Sequence, residues 1–114
     1  MSSFLQHLRH APLLCDGAMG SLLFERTGRL SERNHLYETF NADNPDLIRD
    51  VHLEYLQAGA TALITNTFAA NHTHLAIRDQ ADRVEELNRN GVLLAREAID
   101  QYNLQRNTND PFFV

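Results

Sequence analysis

The chain has 114 residues and a mass of 13.0 kDa, room for one domain of ordinary size and not two. With 43% hydrophobic residues and a formal net charge of −5, it fits neither wholesale disorder nor a surface for nucleic acid or anionic membrane. Its single cysteine, Cys15, excludes an internal disulfide framework and any zinc site built from several cysteines of these residues.

All ten basic residues are arginine, so no lysine amine is present for Schiff-base chemistry. No apolar run approaches the ~20 residues that cross a bilayer. The N-terminal MSSFLQHLRH lacks the apolar core of a signal peptide, and a cytoplasmic location is expected.

In chain order, Phe4, Leu5 and Leu8 at helical spacing behind Ser2 or Ser3 predict a helix over 2–10. Pro12 interrupts it, and Leu13-Leu14-Cys15 reads as a short buried strand that buries the thiol. Gly17 and Gly20 make the turn into a helix over 21–26 that Gly28 stops. Residues 29–43 are polar with isolated Leu30, Leu36, Tyr37 and Phe40, and read as a long excursion of the kind that often serves function. His35 is a loop residue within it.

A clear helix follows, with Asn44 as cap, Pro45 at the first position and Asp46 at the positive end of the dipole. Leu47, Ile48, Val51, Tyr55 and Ala58 form its apolar face, His52 lies along the helix, and Gly59 ends it. Residues 61–65 read as a second buried strand. A long helix is predicted over 79–102, with Gly91 allowing a close approach to the sheet. Pro111-Phe112-Phe113-Val114 begins a third strand. This alternation predicts an α/β fold with a parallel sheet and right-handed crossovers. Three such strands cannot close a barrel, which takes ~250 residues, so the chain reads as the opening of something larger.

In parallel α/β folds, ligands collect at the carboxyl ends of the strands. Asp16-Gly17-Ala18-Met19-Gly20 stands at the first such end. Its backbone N–H groups can cradle a carboxylate and Asp16 can accept an ammonium, a pairing that suits an amino acid. The alternative is that Asp16 only caps the following turn. Asn66-Thr67-Phe68-Ala69-Ala70-Asn71 ends the second strand, where amide and hydroxyl groups orient a zwitterion or serve only to bond their own loop. His72 and His74 have the alternate spacing that strand-borne metal ligands use, yet at helical spacing they diverge and read as exposed residues. No P-loop and no strand-linked GxGxxG is present.

These residues resemble the homocysteine S-methyltransferase family. The likeness runs through LLCDGAMG at 13–20, NPDLIRDVHLEYLQAGA at 44–60, TNTFAAN at 65–71 and ELNRNGVLLAREA at 86–98. It is similar to the homocysteine-binding module of cobalamin-dependent methionine synthase and of two-part proteins that join such a module to a methylenetetrahydrofolate reductase. The resemblance implies that residues 1–114 are the N-terminal portion of a (β/α)₈ TIM barrel, about two βα units and the start of the third strand. It implies an enzyme that methylates the homocysteine thiol to methionine, with zinc on three cysteines of later strands.

Cys15 matches none of those three positions, so no residue here is assigned as catalytic or as a metal ligand. By similarity Asp16 and Gly17 help hold the amino-acid portion of homocysteine, and Asn66 and Thr67 line the pocket floor or orient the substrate. The methyl donor is methyltetrahydrofolate, methylcobalamin or a methylated amino acid, with a reductase or cobalamin module possible in the parent. The chain departs from the family at Ala69, for glycine, and Ser21, for threonine. The isolated segment is expected to be inactive. Two competing readings are a non-catalytic fragment that assembles with another chain, and a different metal-dependent barrel enzyme using His72 and His74.

Overall fold

The structure, a computed structural model, describes residues 3–28 and 36–114; Ser2, Leu30 and His35 lie outside them. The described residues contain six α-helices: α1 (Phe4–Leu8), α2 (Met19–Thr27), α3 (Phe40–Asp43), α4 (Pro45–Gln57), α5 (His72–Ala76) and α6 (Val84–Arg106). Single 3₁₀ turns at Tyr37–Thr39 and Ala81–Arg83 lead into α3 and α6.

Ser3, not Ser2, starts α1 through a reciprocal capping box with Gln6. Gly28 ends α2 in the left-handed conformation at φ 63°. Asn44 precedes α4 without a side-chain cap bond, and Pro45 opens that helix. The long helix begins at Val84, later than the pattern predicts, because Asp79 adopts φ 55° and leaves helical geometry. It also runs on to Arg106 before Asn107 turns left-handed.

The three segments expected as strands lie side by side and parallel, but each pairing is a single bridge: Cys15 with Ala62, and Ala62 with Phe113. Asp16 N–H donates to Ala62 O at 3.0 Å and Ala62 N–H to Leu14 O at 3.1 Å. Phe113 N–H to Thr61 O and Leu63 N–H to Phe113 O form the second pairing. The next rung between the first two segments goes to a side chain: Ile64 N–H donates to the Asp16 carboxylate at 3.1 and 3.2 Å. Diverting that donor stops the ladder one residue after it starts.

α4 and α6 cover one face. Leu53, Leu56, Ala60, Leu63, Ala95 and Ala98 pack there, and Leu23, Ile48, Val51 and Leu94 join α2 to the same pair of helices. Each fully buried Leu, Ile or Val contributes roughly 1.5–3 kcal/mol. Phe4 and His7 of α1 set their rings edge-on against Phe113. Cys15 is exposed, contrary to its apolar context, because it stands in the first segment, which only one neighbour flanks. Leu14 and Ile64 are exposed there too.

Candidate functional site

A cleft of about 320 Å³ opens at the carboxyl ends of the first two extended segments. Gly17, Met19 and Gly20 line it from the first crossover, Ile64, Thr65, Asn66, Thr67 and Phe68 from the second segment and its loop, and Tyr37 and Glu38 from the 3₁₀ turn. Three of the four site residues expected from sequence, Gly17, Asn66 and Thr67, therefore share one cavity.

Asp16, next to Gly17 in the chain, is not among the residues that line the cleft. Its carboxylate accepts the Ile64 N–H, and burial raises its pKa while that hydrogen bond opposes the rise. Tyr55 of α4 reaches over the turn and donates its hydroxyl to Ala18 O at 2.8 Å. A Cβ at Gly17 would come within 3.0 Å of that hydroxyl, so glycine lets the turn sit against the ring. Burial first, then the negative charge of Asp16, raises the Tyr55 pKa and keeps the phenol protonated as a donor.

Asn66 is buried, and its amide is committed to the protein. It donates to Tyr37 O and to Asn41 Oδ1, each at 3.0 Å. Asn41 answers by donating to Asn66 O at 2.7 Å and to Leu87 O at 2.9 Å. The two amides thus tie α3, the loop and α6 together. Thr67 shares a 2.7 Å hydrogen bond with Thr65 through their hydroxyls. Glu38 accepts the Ala69 N–H at 3.1 Å. Ala69 is buried and is not among the residues with positive φ, so alanine fits where the family carries glycine.

Gly91 explains how α6 gets so close. A Cβ there would stand 2.6 Å from Thr67 Cγ2 and 3.0 Å from Asn41 Nδ2. Tyr37, Glu38 and Asn41 are the site residues that sequence reasoning passed over. The signal was the length of the polar excursion, which marked the region without singling out a side chain.

His72 and His74 occupy the first turn of α5, both exposed. Asn71 caps that helix through the His74 N–H at 3.0 Å and also meets the His74 ring at 3.0 Å. Among the described residues no three His, Cys, Asp or Glu side chains form a metal-binding group. The described residues therefore do not by themselves supply a zinc centre. No helix among them is long and apolar enough to cross a membrane.

Comparison with known proteins shows the family to which the chain belongs. The homocysteine S-methyltransferase family model matches residues 13–114, and the chain belongs to that family. It is 34% identical over 103 residues to a methionine synthase of Mycobacterium tuberculosis, covering 88% of this chain and 9% of that protein. It is 37% identical over 92 residues to a homocysteine S-methyltransferase of Escherichia coli, covering 79% of this chain and 29% of that protein. The crystal structure of the E. coli homocysteine methyltransferase MmuM in its oxidized form superposes with a TM-score of 0.80 at 32% identity, over 92% of this chain and 36% of that one. Its metallated form gives 0.78 at 31% identity, over 92% and 37%. The chain thus spans well under half the length of these relatives.

Proposed function

We propose that this chain forms the substrate-side opening of a homocysteine S-methyltransferase barrel, contributing two βα units and the start of a third strand. The observation that carries the reading is the shared cleft, where Gly17, Asn66 and Thr67 meet at the ends of parallel segments. Family membership and the fit to MmuM support it.

In this reading the Gly17–Gly20 turn offers N–H donors to the substrate carboxylate. Asp16, fixed by Ile64 N–H, keeps lone pairs for the substrate amino group. Thr67 lines the floor, and Asn66 acts by holding the loop in place. In the reaction the homocysteine sulfur loses its proton and bonds to the methyl carbon as the bond from that carbon to the donor breaks, giving methionine. The donor is methyltetrahydrofolate, methylcobalamin or a methylated amino acid. Zinc, which the resemblance to the family implies, would have to take its ligands from outside the described residues. A reductase or cobalamin module is compatible with the long methionine synthase relatives, of which this chain matches a small part.

The isolated segment is inactive in this account. The test supplies it with zinc, homocysteine and S-methylmethionine or methyltetrahydrofolate, and follows methionine. No methionine and no zinc retained on dialysis are expected; turnover, or one tightly held zinc per chain, contradicts the assignment of the chemistry to residues elsewhere. Among the described residues the outer edges of the first and third extended segments have no bridge partner, and these edges with the exposed Leu14 and Ile64 favour assembly with a complementary chain or segment.

A further inference from the structure

Among the described residues, Glu38 is the only charged side chain lining the cleft. It is 8% exposed, and it comes from the 3₁₀ turn rather than from either strand end. One carboxylate oxygen accepts the Ala69 N–H at 3.1 Å. Among the described residues the other has no hydrogen-bond partner, and no arginine or histidine forms an ion pair with the group. A largely buried carboxylate without a counter-charge is costly, and the cost is recovered when a cation enters beside it. The surrounding lining is uncharged, with the Thr65 and Thr67 hydroxyls close by. A compact primary ammonium, with three donors to distribute among such acceptors, suits this setting.

We propose that Glu38 receives the α-ammonium of the amino-acid substrate, adding a second carboxylate to Asp16. The assignment rests on the cleft being an amino-acid site, as proposed above. A carboxylate in this position selects for amino acids over the corresponding thiol acids, because a ligand without the ammonium leaves Glu38 unpaired.

The isosteric change Glu38→Gln separates this role from loop support, since the amide oxygen still accepts the Ala69 N–H. The 114-residue chain, labelled with ¹⁵N, is titrated with L-homocysteine, with 4-mercaptobutanoate, which lacks the ammonium, and with L-2-aminobutyrate, which lacks the thiol. Both ammonium-bearing ligands are expected to shift the Ala69 and Thr67 amides saturably. In Glu38→Gln their affinity falls at least tenfold, while the melting temperature and the weak response to 4-mercaptobutanoate stay as in the parent. Equal affinity of parent and variant for homocysteine overturns the assignment, as does an equal loss for homocysteine and 4-mercaptobutanoate. If 2-aminobutyrate binds through Glu38 and homocysteine does not, Glu38 stands as an ammonium site and the homocysteine reading falls. No shift with either ammonium-bearing ligand overturns both.

Discussion

Gly91 sets how closely α6 can lie on the loop that carries Asn66 and Thr67. A methyl group there would meet Thr67 Cγ2 at 2.6 Å and Asn41 Nδ2 at 3.0 Å. Alanine gains ~1 kcal/mol of helix propensity, and overpacking costs more. Gly91→Ala is therefore expected to lower stability by about 2 kcal/mol, which a thermal melt reads as a fall of about 10 °C. Adding Thr67→Ser, which removes the clashing methyl, should recover more than half of that loss. An unchanged melting temperature in Gly91→Ala would show that the approach is looser than described.

His52 carries a pH prediction. It is fully buried, and neither ring nitrogen has a hydrogen-bond partner. Burial lowers its pKa from 6.5 to about 4. The folded state thus binds fewer protons than the unfolded state between those values, so its contribution is intact above pH 6.5 and is lost as pH falls toward 4. The loss is about 3 kcal/mol. Urea denaturation of the parent and of His52→Leu across this range should show the leucine variant gaining on the parent by about 3 kcal/mol as pH drops from 6.5 toward 4. Parallel pH profiles contradict it.

At the scale of elements, the site is held by side chains that cross between them. Asn41 joins α3 to Asn66 and to Leu87 of α6 through three buried hydrogen bonds. Asn41→Ala leaves those groups unpaired and is expected to cost about 3 kcal/mol by denaturant titration. Tyr55 performs the equivalent task for α4 and the Asp16–Gly17–Ala18 turn. Tyr55→Phe keeps the ring packing, and a loss of about 1 kcal/mol is expected for the hydroxyl alone.

Helices α1, α2, α4 and the body of α6 were legible because their apolar periodicity and their Gly28 and Pro45 punctuation are local signals, whereas the short α3 and α5 carry no such pattern. The start of α6 was not, since the left-handed turn at Asp79 follows from how the chain enters the helix rather than from residue type. The strands were legible as positions and as parallel neighbours. The reduction of the first pairing to a single bridge was hidden, because it depends on Asp16 taking the Ile64 N–H across 48 positions of sequence. In the cleft, Gly17, Asn66 and Thr67 could be read at strand ends, while Glu38 and Asn41 have meaning only once the excursion folds back.

For the whole molecule, the dominant feature among the described residues is a set of helices packed against three extended segments that meet in single parallel bridges. Leu14 is 58% exposed, Ile64 65% and Phe68 91%, a level that marks surface awaiting a neighbour. Sedimentation of the chain is expected to show association rising with concentration, and Ile64→Lys should reduce it. A strictly monomeric parent at all concentrations contradicts the reading of these edges as open.

The central claim is that this segment supplies the substrate side of a homocysteine methyltransferase. It is tested most directly by exchanging these residues for the matching N-terminal part of the E. coli homocysteine S-methyltransferase, to which they are 37% identical over 92 residues, and measuring methionine formation. The account predicts a folded, zinc-loaded chimaera that methylates homocysteine. A chimaera that folds and holds zinc but forms no methionine would contradict it.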